Sequence, residues 1–413
     1  MSTSSAPELR WLTNARLPDG RRVDVELAEG RVARVLPAGE TRDGAARDLG
    51  GWLLLPAMGE PHAHLDKALT AENVPNPSGD LRGAIDAWIA AAERGVFTHD
   101  DMVARVRSAL EKLLLSGVTA VRSHINCGSG AGISHLLAAQ EAARDFEHAM
   151  DIEFVALTHS PMTGPGSDPN QAALRDAIAA GIHLVGGCPH LEPDGDAAIA
   201  HALTVAADTG VPIDLHTDET LNPDMLTLRS LARQVVERGM EGRVAASHCV
   251  SLGVQPVDVQ EAVAAEVAAA GISIVPLPQT NLFLQGRDHP VSTPRGLTAI
   301  PALRAAGVLV AAGADNVQDP FNLVGRSDPL ETAALLVMAG HVLPDDAYDM
   351  VSNAVRVAMR LAPVRFESGD PADFVAIDAP SVRGAIADAP ADRVVFHRGR
   401  VVAESHTTRT VLH

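Results

Sequence analysis

A chain of 413 residues with 46% hydrophobic and 21% charged residues carries enough apolar material for a large core. Its formal net charge of −19, with arginines scattered rather than bunched, argues against a nucleic-acid or anionic-membrane partner, because phosphate surfaces reward clustered Lys and Arg. Three cysteines, Cys127, Cys188 and Cys249, are too few and too widely spaced for a disulfide framework or a CxxC metal site, which fits a reducing compartment.

The first residues, MSTSSAPELRW, show no basic segment followed by an apolar one, and no window approaches the length of a membrane span. The expectation is a soluble cytoplasmic protein. VDVELAEG and RVARVLPAG then alternate apolar with polar residues between Gly-containing turns, the pattern of short strands. DFVAIDAP and RVVFHRGRVVAES near the C-terminus have the same texture, so residues 1–56 and 364–413 are predicted to form one small β-sandwich domain from both termini.

Between them, residues 57–363 alternate short apolar runs with Ala-rich amphipathic helices that mostly end in Gly. The runs include WLLLPAMGEPHAH, GVTAVRSH, IEFVALTH, HLVGGCPH, PIDLHTDE, RVAASHC, GISIVPLP and VLVAAGADN. About eight strand-helix repeats predict an α/β fold of the (β/α)8 TIM-barrel type; a doubly wound sheet is the alternative, but it needs no eighth repeat. Residues 71–83 form a Pro/Gly/Asn-rich loop after the first strand, either a lid over the barrel mouth or a solvated connection.

His62 and His64 close the first apolar run two residues apart, a spacing that sends both imidazoles to one side of a strand. His216 ends PIDLH, His248 ends RVAASH and Asp315 ends VLVAAGAD. Barrel active sites sit at the C-terminal ends of the strands, and buried imidazole or carboxylate is costly without a partner, so these ends point to a metal site suited to zinc or iron. Such a metal would lower the pKa of its water to give hydroxide near neutral pH. Glu219, three residues past His216, is placed to protonate a substrate nitrogen and return protons to a leaving amine. Asp315 would receive the proton from the water, and His248 would orient the attacking hydroxide. His124 and His190 either line the pocket or hold supporting bonds. His99, His135, His148, His183, His201 and His341 fall in helices or turns and read as ordinary. Cys188 and Cys249 read as small buried fillers.

EPHAHLDKA, HTDE, SHC and GADNVQDP, together with LFLQGR (282–287), RGLT (295–298) and FTHDDM (97–102), resemble the amidohydrolase superfamily, specifically its cytosine deaminase-like branch. The resemblance runs over nearly the whole chain. It implies metal ligands His62, His64, His216 and Asp315, with Glu219 and His248 in catalytic roles. Two-metal relatives bridge their ions with a carboxylated lysine at the fourth strand end; HLVGGCPH has none, so one divalent ion is expected.

The resemblance also implies departures at the substrate. His159 stands where cytosine deaminases carry a ring-reading glutamine, Asn316 replaces the second of two aspartates, and Phe321 replaces a tryptophan. Histidine presents one donor and one acceptor on separate atoms, so the ring edge is read differently, unless His159 is a wall residue paired with a neighbour. The expected function is hydrolytic deamination of a small nitrogen heterocycle such as a pyrimidine or triazine, releasing ammonia or an amine. The alternatives are cleavage of a cyclic amide, removal of an alkylamine from a triazine-like ring, and a catalytically silent metal-binding scaffold. The partner is a small heterocyclic substrate, and assembly into a homo-oligomer stays open.

Overall fold

The computed structural model describes residues 9–39 and 43–412; the start of the MSTSSAPELRW stretch lies outside the described residues. Five strands open the chain: β1 (Trp11–Arg16), β2 (Arg22–Ala28), β3 (Arg31–Pro37), β4 (Ala46–Asp48) and β5 (Leu53–Pro56). Seven follow: β6 (Met58–Ala63), β7 (Val118–Cys127), β8 (Asp151–Thr158), β9 (Leu184–Val185), β10 (Ile213–Thr217), β11 (Val244–His248) and β12 (Ser273–Val275). Three close it: β13 (Phe374–Ile377), β14 (Arg393–His397) and β15 (Arg400–Ser405).

The terminal strands join in one mixed sheet, ordered β15-β14-β13-β5-β1-β2-β3 with β4 on β1. The two ends of the chain meet where β5 and β13 pair antiparallel, Leu53 opposite Ile377. The sequence reading expected a sandwich; the strand pairing gives a single sheet. Side chains alternate along its central strands, as the two-residue period of a strand requires. Leu54, Phe374, Ala376, Val394 and Phe396 join a small core of the sheet's own with Leu12, Val23 and Val25. Leu53, Leu55, Val375, Ile377 and Val395 face the other way into the main core.

Strands β6 to β12 form a parallel sheet in sequential order, with helices such as His99–Leu115, Asp168–Ala179, Gly195–Thr209 and Val257–Ala269 in the crossovers. This is a nearly closed barrel with seven assigned strands among the described residues. The expected eighth, VLVAAGAD, is not a regular strand. It bridges β12 at Val310 and β6 at Asp315, but much of its hydrogen bonding goes elsewhere. The Ala312 N–H donates to Met350 O at 2.8 Å, and the Ala314 N–H donates to the Glu60 carboxylate at 2.9 Å. Glu60 also accepts from the His62 N–H at 3.1 Å, so this buried side chain stitches the seam. The seam needs glycine at 313, where a Cβ would lie 2.2 Å from Glu60 Oε1.

The loop after β6 is shorter than its composition suggests, because Asp80 caps a helix beginning at Leu81. It is pinned beside the segment that follows Asp315. Leu69 N donates to Val317 O at 2.9 Å, Ala71 N to Gln318 O at 2.8 Å, and Asn76 Nδ2 to Pro320 O at 3.0 Å. Among the described residues, no helix is long and apolar enough to cross a membrane.

Candidate active site

The C-terminal ends of the barrel strands bring together His62, His64, His216, His248 and Asp315. His62 lies on β6 and His64 just beyond it; His216 lies on β10 and His248 ends β11. His216 Nε2 is 3.1 Å from His62 Nε2 and 3.0 Å from His64 Nε2. Asp315 Oδ1 is 3.2 Å from His64 Nε2 and 3.7 Å from His62 Nε2. Two nitrogens each about 2.1 Å from one ion sit roughly 3.0–3.4 Å apart, so this spacing fits a shared metal. Both Asp315 carboxylate oxygens are buried without a hydrogen-bond partner, a costly state that a cation would relieve. Burial, then the neighbouring imidazoles, holds His62 and His216 well below the usual histidine pKa, so they are neutral donors.

Glu219 and His248 flank this cluster. His248 Nδ1 is 3.6 Å from Glu219 Oε1, and His248 Nε2 is 3.9 Å from Asp315 Oδ2. The Asn281 amide donates to His248 Nδ1 at 3.1 Å, which leaves the proton of the neutral ring on Nε2, an atom without a hydrogen-bond partner. Burial first, then His190, lowers the His248 pKa to about 3 and keeps the ring neutral. Burial alone pushes Glu219 up to about 8, so it holds a proton at neutral pH.

Local backbone explains these positions. Asp218, between His216 and Glu219 in HTDE, turns away and accepts from the N–H groups of Thr227 (2.9 Å) and Leu228 (3.0 Å) at the start of a helix. The Glu219 carbonyl accepts from Gln285 Nε2 at 3.2 Å, and its side chain is buried beside His248. Asp218, His248, Cys249 and Asp315 have φ of 51°, 65°, 49° and 70°. Left-handed backbone costs such residues roughly 1–2 kcal/mol each, and strain of this kind gathers where geometry serves chemistry.

His124 closes the run GVTAVRSH but does not end its strand: it sits inside β7, its ring stacked on His62 with centroids 3.9 Å apart. His190 is in a short turn, not at a strand end, and its Nδ1–H donates to His216 O at 3.2 Å. His159 follows β8 and packs over Gly128, where a Cβ would come within 2.5 Å of its ring. The Asn316 side chain donates to Asp319 Oδ2 at 2.7 Å, and Phe321 is half-buried in the same loop. Cys249 is buried, whereas Cys188 is only partly so.

Sequence reasoning missed the groups that hold the imidazoles. Ser247 Oγ lies 2.8 Å from His62 Nδ1 and donates to Asp214 Oδ1 at 3.2 Å; Asp214 is in turn paired with Arg122 at 2.8 Å. Charged residues inside the apolar runs AVRSH and PIDLH were the available signal, since an inward strand position tolerates charge only when paired. Lys67, Asp66 and His135 were missed too. His135 Nδ1 is 3.1 Å from Asp66 Oδ2, and Lys67 Nζ is 3.0 Å from His64 Nδ1. His135, read as an ordinary helix residue, therefore belongs to the buried network behind His64.

A family model described as "Amidohydrolase family" matches residues 90–403. A pterin deaminase of Rhizobium rhizogenes is 32% identical over 390 residues, 93% of this chain and 88% of that protein. An N-isopropylammelide isopropyl amidohydrolase of a Pseudomonas species is 24% identical over 370 residues, 86% of this chain and 87% of its own length. Among solved structures, 5-methylcytosine deaminase of Klebsiella pneumoniae liganded with 5-fluorocytosine superposes with a TM-score of 0.87 at 26% identity, covering 97% of this chain and 99% of that one. Sequence, barrel and strand-end histidines agree: the chain belongs to the Amidohydrolase family.

Proposed function

We propose that the protein is a metal-dependent hydrolytic deaminase of a small nitrogen heterocycle. The observation that carries this reading is three neutral imidazoles converging with an unpartnered Asp315, opposite a Glu219 that keeps its proton. The relatives act on pterin, 5-methylcytosine and N-isopropylammelide by their names, all nitrogen rings bearing an amino or alkylamino group. Residues 57–363 form the catalytic unit in this reading.

His62, His64, His216 and Asp315 would hold one divalent ion, zinc or iron by donor chemistry. When bound, the ion supplies hydroxide near neutral pH by lowering the pKa of water. The chain's own residues do the rest. Asp315 takes the proton lost from water, and the His248 Nε2–H steadies the attacking oxygen. Glu219 protonates the ring nitrogen, which makes the adjacent carbon electrophilic; it recovers a proton from the added hydroxyl as the carbonyl forms, and the water proton held by Asp315 goes to the departing amine. His159, Asn316 and Phe321 border the ring in this reading.

The test is a panel of aminopteridines, aminopyrimidines and aminotriazines, with metal content measured on the same sample. Ammonia release proportional to bound metal is expected; a metal-replete protein that releases neither ammonia nor alkylamine from any member would overturn the proposal and favour a silent scaffold.

A further inference from the structure

We propose that the short helix Pro278–Leu284, with the Gln285 that ends it, is a positioning platform for the three proton-handling residues. Thr280, Asn281 and Gln285 hold Asp315, His248 and Glu219 in fixed relation, and Asn281 sets which nitrogen of His248 carries its proton; this rests on the catalytic roles proposed above.

The helix follows β12 closely and starts at Pro278, whose fixed φ and missing N–H suit a first helical position. Gln279, Thr280 and Asn281 on it are all buried, so their polar atoms need partners inside the protein. Gln279 Nε2 donates to Thr332 Oγ1 at 2.7 Å and ties the helix to its neighbour, Pro329–Met338. Thr280 Oγ1 donates to Ala314 O at 3.4 Å and accepts from the Asn316 N–H at 3.3 Å. It thereby spans the two peptide groups that flank Asp315, whose φ of 70° persists only where the surroundings impose it.

Asn281 Nδ2 lies 3.1 Å from His248 Nδ1, and an amide NH2 only donates, so Nδ1 accepts. The single proton of the neutral ring then sits on Nε2, the nitrogen 3.9 Å from Asp315 Oδ2. One turn on, Gln285 Nε2 donates to Glu219 O at 3.2 Å, and the Gln285 N–H donates to Asn281 O at 3.0 Å. The two side chains are therefore fixed to one turn of backbone. Gly296 packs against that turn: its φ is 65°, and a Cβ there would lie 2.7 Å from Gln285 Cβ and 3.0 Å from Asn281 O. LFLQGR and RGLT, which hold none of the metal-site residues, thus serve the same turn. Asp315, His248 and Glu219 come from three different strand ends, and this helix touches the chain at all three.

The experiment uses the zinc-loaded full chain with its histidine nitrogens isotopically labelled. A protonated ring nitrogen and a bare one resonate far apart, so the spectrum reads the tautomer directly; the His248 signals are the pair lost in His248→Asn. In the unchanged chain the proton is expected on Nε2, with Nδ1 bare. Asn281→Leu keeps the size and removes the donor. Its two His248 signals are expected to move toward each other as tautomers mix, and kcat on the best member of the heterocycle panel to fall about 10–100-fold. KM is expected to change by less than about twofold, with zinc content unchanged. Gln285→Leu is expected to lower kcat about tenfold while leaving the His248 signals in place. A proton on Nδ1 in the unchanged chain would overturn the proposal, and that measurement decides even if the leucine variant does not fold. Unaltered kcat in Asn281→Leu would overturn it too, as would a parallel loss of zinc, which would make the helix a support of the metal ligands alone. A zinc-loaded chain that turns over no member of the panel has a different signature, an Nε2 proton without activity, and overturns the catalytic reading beneath.

Discussion

Replacing Glu219 with glutamine removes one transferable proton and almost nothing else. The side chain is 7% exposed, and burial raises its pKa to about 8. At pH 7 about nine in ten molecules hold the proton there, from the one-unit gap. The introduced amide would mimic the shape and donor of that neutral acid but could not release a proton to the ring nitrogen. General acid catalysis contributes typically 10²–10⁴, so turnover should fall by about that factor, roughly 2.7–5.4 kcal/mol of barrier. Metal content should be unchanged, because Glu219 faces His248 at 3.6 Å and lies outside the converging Nε2 atoms. The pH profile adds a second reading. The active form is the protonated one, present below about 8, so kcat/KM should decline above that pH and the variant should lose this alkaline limb. The linkage sign agrees in metal-free protein: a folded pKa raised from 4.5 to about 8 gives stability that falls as pH rises through that window, and glutamine removes the slope. Ammonia release with metal analysis measures the first effect. A loss of less than tenfold, or an alkaline limb that persists in the variant, would refute the assigned role.

Three further outcomes follow from the supporting structure. Ser247→Ala leaves His62 Nδ1 without its partner at 2.8 Å and should weaken zinc binding about 10–100-fold, measured against a competing chelator; unchanged affinity would remove Ser247 from the support of His62. Gly313→Ala puts a methyl 2.2 Å from Glu60 Oε1 and should cost about 1–3 kcal/mol of stability in chemical denaturation, because the barrel seam must open to admit it. His159→Gln should shift the ratio of kcat/KM values toward cytosine over larger aminoheterocycles, and an unmoved ratio would show that His159 does not read the ring.

The parts of the site visible in the sequence were those whose positions follow a local period. His62 and His64 are two residues apart, and His216 and His248 each end an apolar run, so strand alternation alone placed them at one mouth. That both termini build one β unit was legible for a similar reason, because VDVELAEG, RVARVLPAG and DFVAIDAP alternate; that β5 would be the strand pairing with β13 was not, since LLLP is apolar throughout. What failed was nonlocal. Ser247 and His62 are 185 residues apart, and Arg122 and Asp214 are 92 apart, so no window of sequence contains both partners. The eighth strand failed because a side chain, the Glu60 carboxylate, takes the N–H of Ala314. His135 looked ordinary because it lies in the first turn of an Ala-rich helix, SHLLAAQEAA, and only the fold brings Asp66 to its ring.

Charge balance in the barrel ties these observations to the chemistry. Glu60, Asp214, Glu219, Asp315 and Asp319 are all buried, and burial raises every one of them. Arg122 pairs with Asp214, while Lys67 sits against Asp66, whose pKa it and His135 pull down despite burial. Asp315 is raised by burial and then by Glu219, Asp319 and Glu60, with Lys67 alone opposing. Its imidazole neighbours, being neutral, contribute donor atoms and no charge. In the proposed site, a divalent ion held by His62, His64 and His216 would offset the burial that keeps the proton on Asp315 and let it ionise. Glu219 then becomes the group that stays protonated, because it is farther from that charge. Burial keeps the proton on both acids, and in the proposed site the ion would set the two apart, one as proton acceptor and the other as donor.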